Sequence, residues 1–94
     1  MPATLHSHNY RGVTSFEDGH RHNYSGVTSA NPDVPGHMHH MAGYTTYNDG
    51  HAHYYAVQTG PELEVEDGHY HYYRGITWFA DGHVHMFEGF TSVD

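Results

Sequence analysis

The 94-residue chain contains no cysteine and no lysine. Without cysteine no disulfide can staple it, and the softest metal chemistries, Cu(I) and iron–sulfur, lack their ligands. Three arginines stand against eleven acids, a formal charge of −8 with neutral histidine. Nothing here can form a basic stripe, so no nucleic acid partner is expected, and an anionic membrane surface suits the chain no better. No apolar run is long enough to span a membrane. The opening stretch Met1-Pro2-Ala3-Thr4-Leu5 has neither a basic nor an apolar segment, so no signal peptide is visible in it. Aliphatic core formers are scarce as well: one Ile (Ile76), two Leu and seven Val. A chain this short and this poor in aliphatics needs a staple. With disulfides excluded, the candidates are metal ions and self-association.

What is present is aromatic and imidazole. There are nine Tyr, four Phe, Trp78 and thirteen His. Twelve of the histidines fall into six His-x-His pairs: His6/His8, His20/His22, His37/His39, His51/His53, His69/His71 and His83/His85. Only His40 is left over. The pairs start 14, 17, 14, 18 and 14 residues apart, so taken two at a time the units recur every 31 or 32 residues. This reads as one β domain over residues 1–94 built of three tandem double units, 6–28, 37–59 and 69–91, and suggests pseudo-threefold symmetry. The connectors Ser29–Gly36 and Gly60–Gly68 carry Pro and Gly and read as loops.

Each unit follows Gly-His-x-His-x-aromatic-x-Gly-apolar-Thr, with a period of two. That is strand periodicity, and no stretch shows a helical period. Within each double unit the link ends in Asp-Gly (Asp18-Gly19, Asp49-Gly50, Asp81-Gly82), a hairpin signal. A three-residue loop would pair Phe16 with His20, Thr14 with His22 and Gly12 with Tyr24, and would set His8 opposite Thr28. All of these then share one face with Tyr10 and Gly26. The opposite face of the first hairpin is polar, so the histidine face should point inward. In the third hairpin the opposite face is Tyr70, Tyr72, Ile76, Trp78, Val84, Met86 and Phe90, too apolar to be left in water. Either the connectors cover it within the monomer, or it meets the next subunit. A polar first hairpin and an apolar third one favour head-to-tail contacts, which give rings or filaments.

Histidines at i and i+2 of a strand project to the same side, roughly 6–7 Å apart. With modest bending they can converge on one ion at about 2.0–2.1 Å per bond. Six such pairs in phase point to transition-metal binding. The alternative is a pH-responsive core whose imidazoles bond to Thr and Tyr. Within an antiparallel hairpin the two pairs lie at opposite ends, so a shared ion should draw on different hairpins. The repeat groups His6, His8, His37, His39, His69 and His71 at one end, and His20, His22, His51, His53, His83 and His85 at the other. Each group could make one six-histidine site or several sites of lower coordination; sites between subunits are the competing arrangement. All-nitrogen ligation suits divalent Zn, Cu, Ni or Co. Asp18, Asp49, Asp67 and Asp81 read first as turn residues, and otherwise as acceptors for the second imidazole N–H.

No unit carries a distinctive general base, a nucleophile constellation or a phosphate loop, and neither cupin nor metallohydrolase spacing follows any pair. The expected function is therefore non-enzymatic. It is metal-binding and structural, with self-assembly into an oligomer or a filament; a filament would favour an extracellular or cell-surface location. A monomeric metal store is the alternative, and a metalloenzyme the third option. The segment His20-Arg21-His22-Asn23-Tyr24-Ser25-Gly26-Val27-Thr28-Ser29 and its relatives resemble the YmaF family of short bacterial proteins, from about Leu5 to Ser92. The resemblance implies a bacterial, His-rich protein. The fourth unit departs from the pattern, with Val57 at the Gly position and Gln58 at the apolar one. Together these readings predict an all-β fold of short antiparallel strands, three hairpins around a pseudo-threefold axis in a small barrel or trefoil-like body.

Overall fold

A computed structural model describes residues 4–94; the expectation about a leader rests partly on Met1–Ala3, which lie outside the described residues. Among the described residues there are nine short strands and no helix: β1 (Leu5–His6), β2 (Asn9–Val13), β3 (Asn23–Val27), β4 (Asn31–Pro32), β5 (His40–Tyr44), β6 (Tyr54–Gln58), β7 (Glu62–Val65), β8 (Gly68–Ile76) and β9 (Met86–Phe90). Every pairing is antiparallel. The strands form four separate sheets, β1-β4, β2-β3, β5-β6 and β7-β8-β9, with no closed barrel.

Three hairpins, β2-β3, β5-β6 and β8-β9, make the body. Each turns on Asp-Gly with positive φ at both residues: 51° and 83° at Asp18 and Gly19, 55° and 84° at Asp49 and Gly50, 51° and 84° at Asp81 and Gly82. Asp tolerates this region and Gly adopts it freely, so the pair makes the tight turn whose twist matches the strands. The turn is one residue tighter than the sequence suggests. Glu17, not Phe16, bridges to His20, with Asn48–His51 and Ala80–His83 doing the same. Thr14 still donates its N–H to the His22 carbonyl. Two residues, Ser15 and Phe16, thus face Arg21 alone, which is a bulge. The extra residue rotates Phe16 out of the inward face, where the sequence placed it, and leaves it exposed. Tyr47 and Phe79 are turned out in the same way.

The rest of the expected pairing is observed: Gly12 opposes Tyr24, Tyr10 opposes Gly26, and Thr28 donates to the His8 carbonyl. The connectors depart from the loop reading. Asn31–Pro32 pairs with Leu5–His6, and Glu62–Val65 pairs with Gly68–His71. Glu-Leu-Glu-Val alternates with period two and so qualifies as a strand beside its neighbour. This added strand sets Leu63 against Tyr70. It does not cover the rest of the apolar face: Ile76, Trp78, Met86 and Phe90 remain 54–60% exposed.

Each hairpin is bonded to both others. Ser29 N–H donates to the His40 carbonyl and Thr46 N–H to Asn23; Gly60 donates to Tyr72 and Trp78 to Tyr54; Ser15 donates to Met86 and Ser92 to Asn9. The core between the hairpins is Tyr10, Tyr24, Met41, Tyr55, Tyr73 and Phe87, each two residues beyond a His-x-His pair. The tyrosine hydroxyls satisfy one another, Tyr10 with Tyr55 at 2.8 Å and Tyr24 with Tyr73 at 2.9 Å, as buried polar groups must. Burial raises the phenol pKa of Tyr24, Tyr55 and Tyr73 above its ordinary value. Opposite the tyrosines lie glycines, and a Cβ on Gly89 would sit 2.6 Å from the Tyr73 hydroxyl. The departure at Val57 now has its reason: its partner across the hairpin is Met41, the one core position without an aromatic ring. The larger side chain at 57 fills what the missing ring leaves.

Candidate metal centres

The core rings divide the interior into two ends, and each end holds one histidine group. His6, His8, His37, His39, His69 and His71 converge at one, and His20, His22, His51, His53, His83 and His85 at the other. All twelve paired histidines of the sequence are placed in these two groups. Within each, one nitrogen per residue lies within 4.8 Å of all the others. His40 is exposed on β5 and belongs to neither.

The inner member of each pair (His8, His22, His39, His53, His71, His85) is buried to 2% exposure or less and is held three ways. Its backbone N–H donates to a threonine hydroxyl across the hairpin: His8 to Thr28, His22 to Thr14, His39 to Thr59, His53 to Thr45, His71 to Thr91 and His85 to Thr77, all at 2.9–3.0 Å. Its carbonyl accepts the N–H of the same threonine. Its Nδ1 donates to a backbone carbonyl on a neighbouring segment: His8 to Ser92, His22 to Thr46, His39 to Ser29, His53 to Trp78, His71 to Gly60 and His85 to Ser15, at 2.8–2.9 Å. These carbonyls belong to the residue that follows each threonine. Where that residue carries a hydroxyl, the hydroxyl also accepts an N–H from the neighbouring hairpin, as Ser92 does from Asn9, Thr46 from Asn23, Ser29 from His40 and Ser15 from Met86. The recurring Thr-Ser thus has two tasks, locking one histidine from below and orienting another from the side.

A carbonyl only accepts, so Nδ1 carries the proton and the lone pair of the neutral ring sits on Nε2. Four of the six outer histidines obey the same rule. His37 Nδ1 donates to Val34, His20 to Asp18, His51 to Asp49 and His83 to Asp81, at 2.8–3.2 Å. Carboxylates reinforce them from another hairpin or strand. Asp49 lies 3.3 Å from His20 Nδ1, Asp81 3.2 Å from His51, Asp18 3.4 Å from His83 and Glu62 2.6 Å from His37. Asp18, Asp49 and Asp81 are therefore turn residues and imidazole acceptors at once, whereas Asp67 lies exposed in the β7-β8 turn. The Gly36 N–H and the His37 ring hold the Glu62 carboxyl below its ordinary pKa.

The Nε2 atoms face one another. At the first end His6, His37 and His69 form a triangle with sides of 3.1, 3.1 and 3.0 Å, and His8 lies 3.1 Å from His69. At the second end the separations are 3.0–3.3 Å. Lone pairs cannot bond to lone pairs. Nε2 of His39, His71 and His85 is buried with no hydrogen-bond partner among the described residues. Protonation is a poor remedy, because burial lowers the pKa of all six inner histidines, that of His39 to about 4. Both groups have the donor chemistry and spacing to hold a metal ion.

Residues 3–93 match the family YmaF, described as Spore germination protein GerY/YamF. The chain belongs to this family. No curated protein and no solved structure matches it. The family match spans both histidine groups, so the paired histidines of this YmaF chain lie within the family region and not in an appended tail. Sequence reasoning missed the carbonyls of Ser15, Ser29, Thr46, Gly60, Trp78 and Ser92, since a backbone acceptor leaves no mark in residue type. It also missed Glu62, whose only signal was its place in an alternating acidic stretch.

Proposed function

We propose that this YmaF-family chain is a non-enzymatic, metal-binding structural protein. Each histidine group takes a divalent transition-metal ion, drawn from Zn, Cu, Ni or Co, and the ions tie the three hairpins together where other small domains use disulfides. The observation that carries this reading is the aim of the imidazoles. Ten of the twelve direct Nδ1 to a backbone carbonyl, which leaves Nε2 lone pairs crowded together in two buried groups. Two divalent ions would also offset half of the formal charge of −8. The recurring stitches between hairpins support a pseudo-threefold relation among the double units 6–28, 37–59 and 69–91. Within the process the family description names, spore germination, the chain would be a structural component and not a catalyst.

Self-assembly is part of the same reading. Ile76, Trp78, Met86 and Phe90 are exposed on one face, with the Tyr54 ring edge to face with Trp78 at 4.7 Å and Tyr44 beyond it. Such a face suits a second copy of the chain.

Elemental analysis of natively purified protein at pH 7.5 tests the metal. We expect about two ions per chain, one for each histidine group. A folded chain that holds none would sink the proposal.

A further inference from the structure

We propose that each histidine group holds its ion six-coordinate, through six imidazole Nε2 atoms in an octahedral shell closed to water. This rests on the metal-binding reading and specifies the class of ion: one that accepts six nitrogen donors, such as Ni²⁺ or Co²⁺, over one that settles at four, as Zn²⁺ does in structural sites.

Three observations converge. The first is the number of donors. Each group contains six histidines, and His39, His71 and His85, the three whose Nε2 is orphaned, are among the most deeply buried. A four-coordinate ion would leave two imidazoles per group with unpaired lone pairs in the interior, and an unsatisfied buried acceptor carries its full desolvation penalty. The second is the spacing. In an octahedron with bonds of about 2.1 Å, adjacent donors are about 3.0 Å apart and opposite donors about 4.2 Å. The Nε2 separations of 3.0–3.3 Å match the adjacent distance. All six donors of a group lie within 4.8 Å of one another, which accommodates the opposite distance after slight contraction. The third is the layering. An octahedron is two facing triangles. The outer histidines His6, His37 and His69 already form one triangle with nearly equal sides, one from each double unit. The inner His8, His39 and His71 lie behind it, with ring centroids 4.6–4.7 Å apart. Ten of the twelve rings are fixed from outside by an Nδ1 bond to a backbone carbonyl, and the six inner ones by a threonine as well, so most of the shell is preorganised.

A closed shell has a consequence. It leaves no position for water or substrate, so neither centre can act as a Lewis acid or generate hydroxide. The ion's role is then to hold three hairpins together.

Cobalt reports coordination number directly. The full chain is stripped with EDTA, its fold checked by circular dichroism, and Co²⁺ added at pH 7.5 without oxygen. The expected result is two bound Co²⁺ per chain with only weak visible absorption, and an X-ray absorption shell of six nitrogens at about 2.1–2.2 Å. Intense blue absorption, or a shell of four nitrogens, would overturn the six-coordinate proposal while leaving metal binding intact. No Co²⁺ bound by the folded chain would overturn both. His6→Ala, at the half-buried mouth of the first group, adds a second readout in case inner variants do not fold. One of the two ions should lose its six-nitrogen shell and gain an oxygen ligand. An unchanged shell at both ions would place His6 outside the coordination sphere and overturn the six-donor assignment.

Discussion

The protonation of a single buried imidazole sets the behaviour of the metal-free protein. In the folded chain, burial is the largest influence on His8, His22, His39, His53, His71 and His85 and lowers the pKa of each, that of His39 to about 4. The bond from Nδ1 to a carbonyl opposes this but does not win. In the unfolded chain these residues titrate near 6.5. Below that value the unfolded state binds protons that the folded state refuses, so their contribution to stability is intact above about pH 6.5 and is lost as the pH falls through their lowered folded-state values, about 4 for His39. We expect the urea midpoint of EDTA-treated protein to fall steadily between pH 7 and pH 5. A flat profile would mean that the inner rings stay hydrated. The same residues show why tautomer matters: Nδ1–H on a carbonyl is what turns a generic His-x-His pair into aimed lone pairs.

A hairpin here is a pair of strands in which every core ring faces a residue small enough to admit it. Tyr10 faces Gly26, Gly12 faces Tyr24, Gly43 faces Tyr55 and Tyr73 faces Gly89. Glycine is costly in a strand, by roughly 0.5–1 kcal/mol against alanine, so it must return more than that in packing. Gly89→Ala tests the balance. Its Cβ would stand 2.6 Å from Tyr73 Oη and 3.0 Å from Cζ. Overpacking of this kind costs about 1–3 kcal/mol, which outweighs the backbone gain. The substitution should lower stability by about that amount, and it should cost less in a chain that already carries Tyr73→Phe, where the nearest atom is gone. Additive effects in the double-mutant cycle would show that the two positions do not meet. The pairing of Val57 with Met41 already displays the compensation that the cycle measures. Alternation and Asp-Gly made these hairpins legible in the sequence. The bulge at Ser15–Phe16 was not, because a one-residue slip near a turn depends on where Ser15 must go to reach the Met86 carbonyl.

The whole molecule is elongated, 49 × 22 × 16 Å, with a histidine group on either side of an aromatic middle. Its outer faces are unequal. The first hairpin is polar, and the third exposes Ile76, Trp78, Met86 and Phe90. If that face seats another copy, Ile76→Ser together with Trp78→Ser should shift the protein to monomer in size-exclusion chromatography without loss of bound metal. EDTA should dissolve the assembly only to the extent that it unfolds the hairpins. A wild-type chain that elutes as a monomer at high concentration, with metal bound, would sink the assembly reading.

Residue type and spacing alone determined that the chain is built of short antiparallel strands, which turns are tight, which face looks inward, and which histidines belong together. The physical reason is that strand periodicity and turn chemistry are local, and six in-phase pairs carry their own grouping. Only the tertiary structure decided how the rings are aimed. The carbonyls of Ser15, Ser29, Thr46, Gly60, Trp78 and Ser92 take the Nδ1 protons from across the molecule, and Glu62 reaches His37 from a connector that folds back as a strand. A backbone acceptor is the same atom in every residue, so no sequence can announce it. It becomes visible only when the chain brings distant segments into contact.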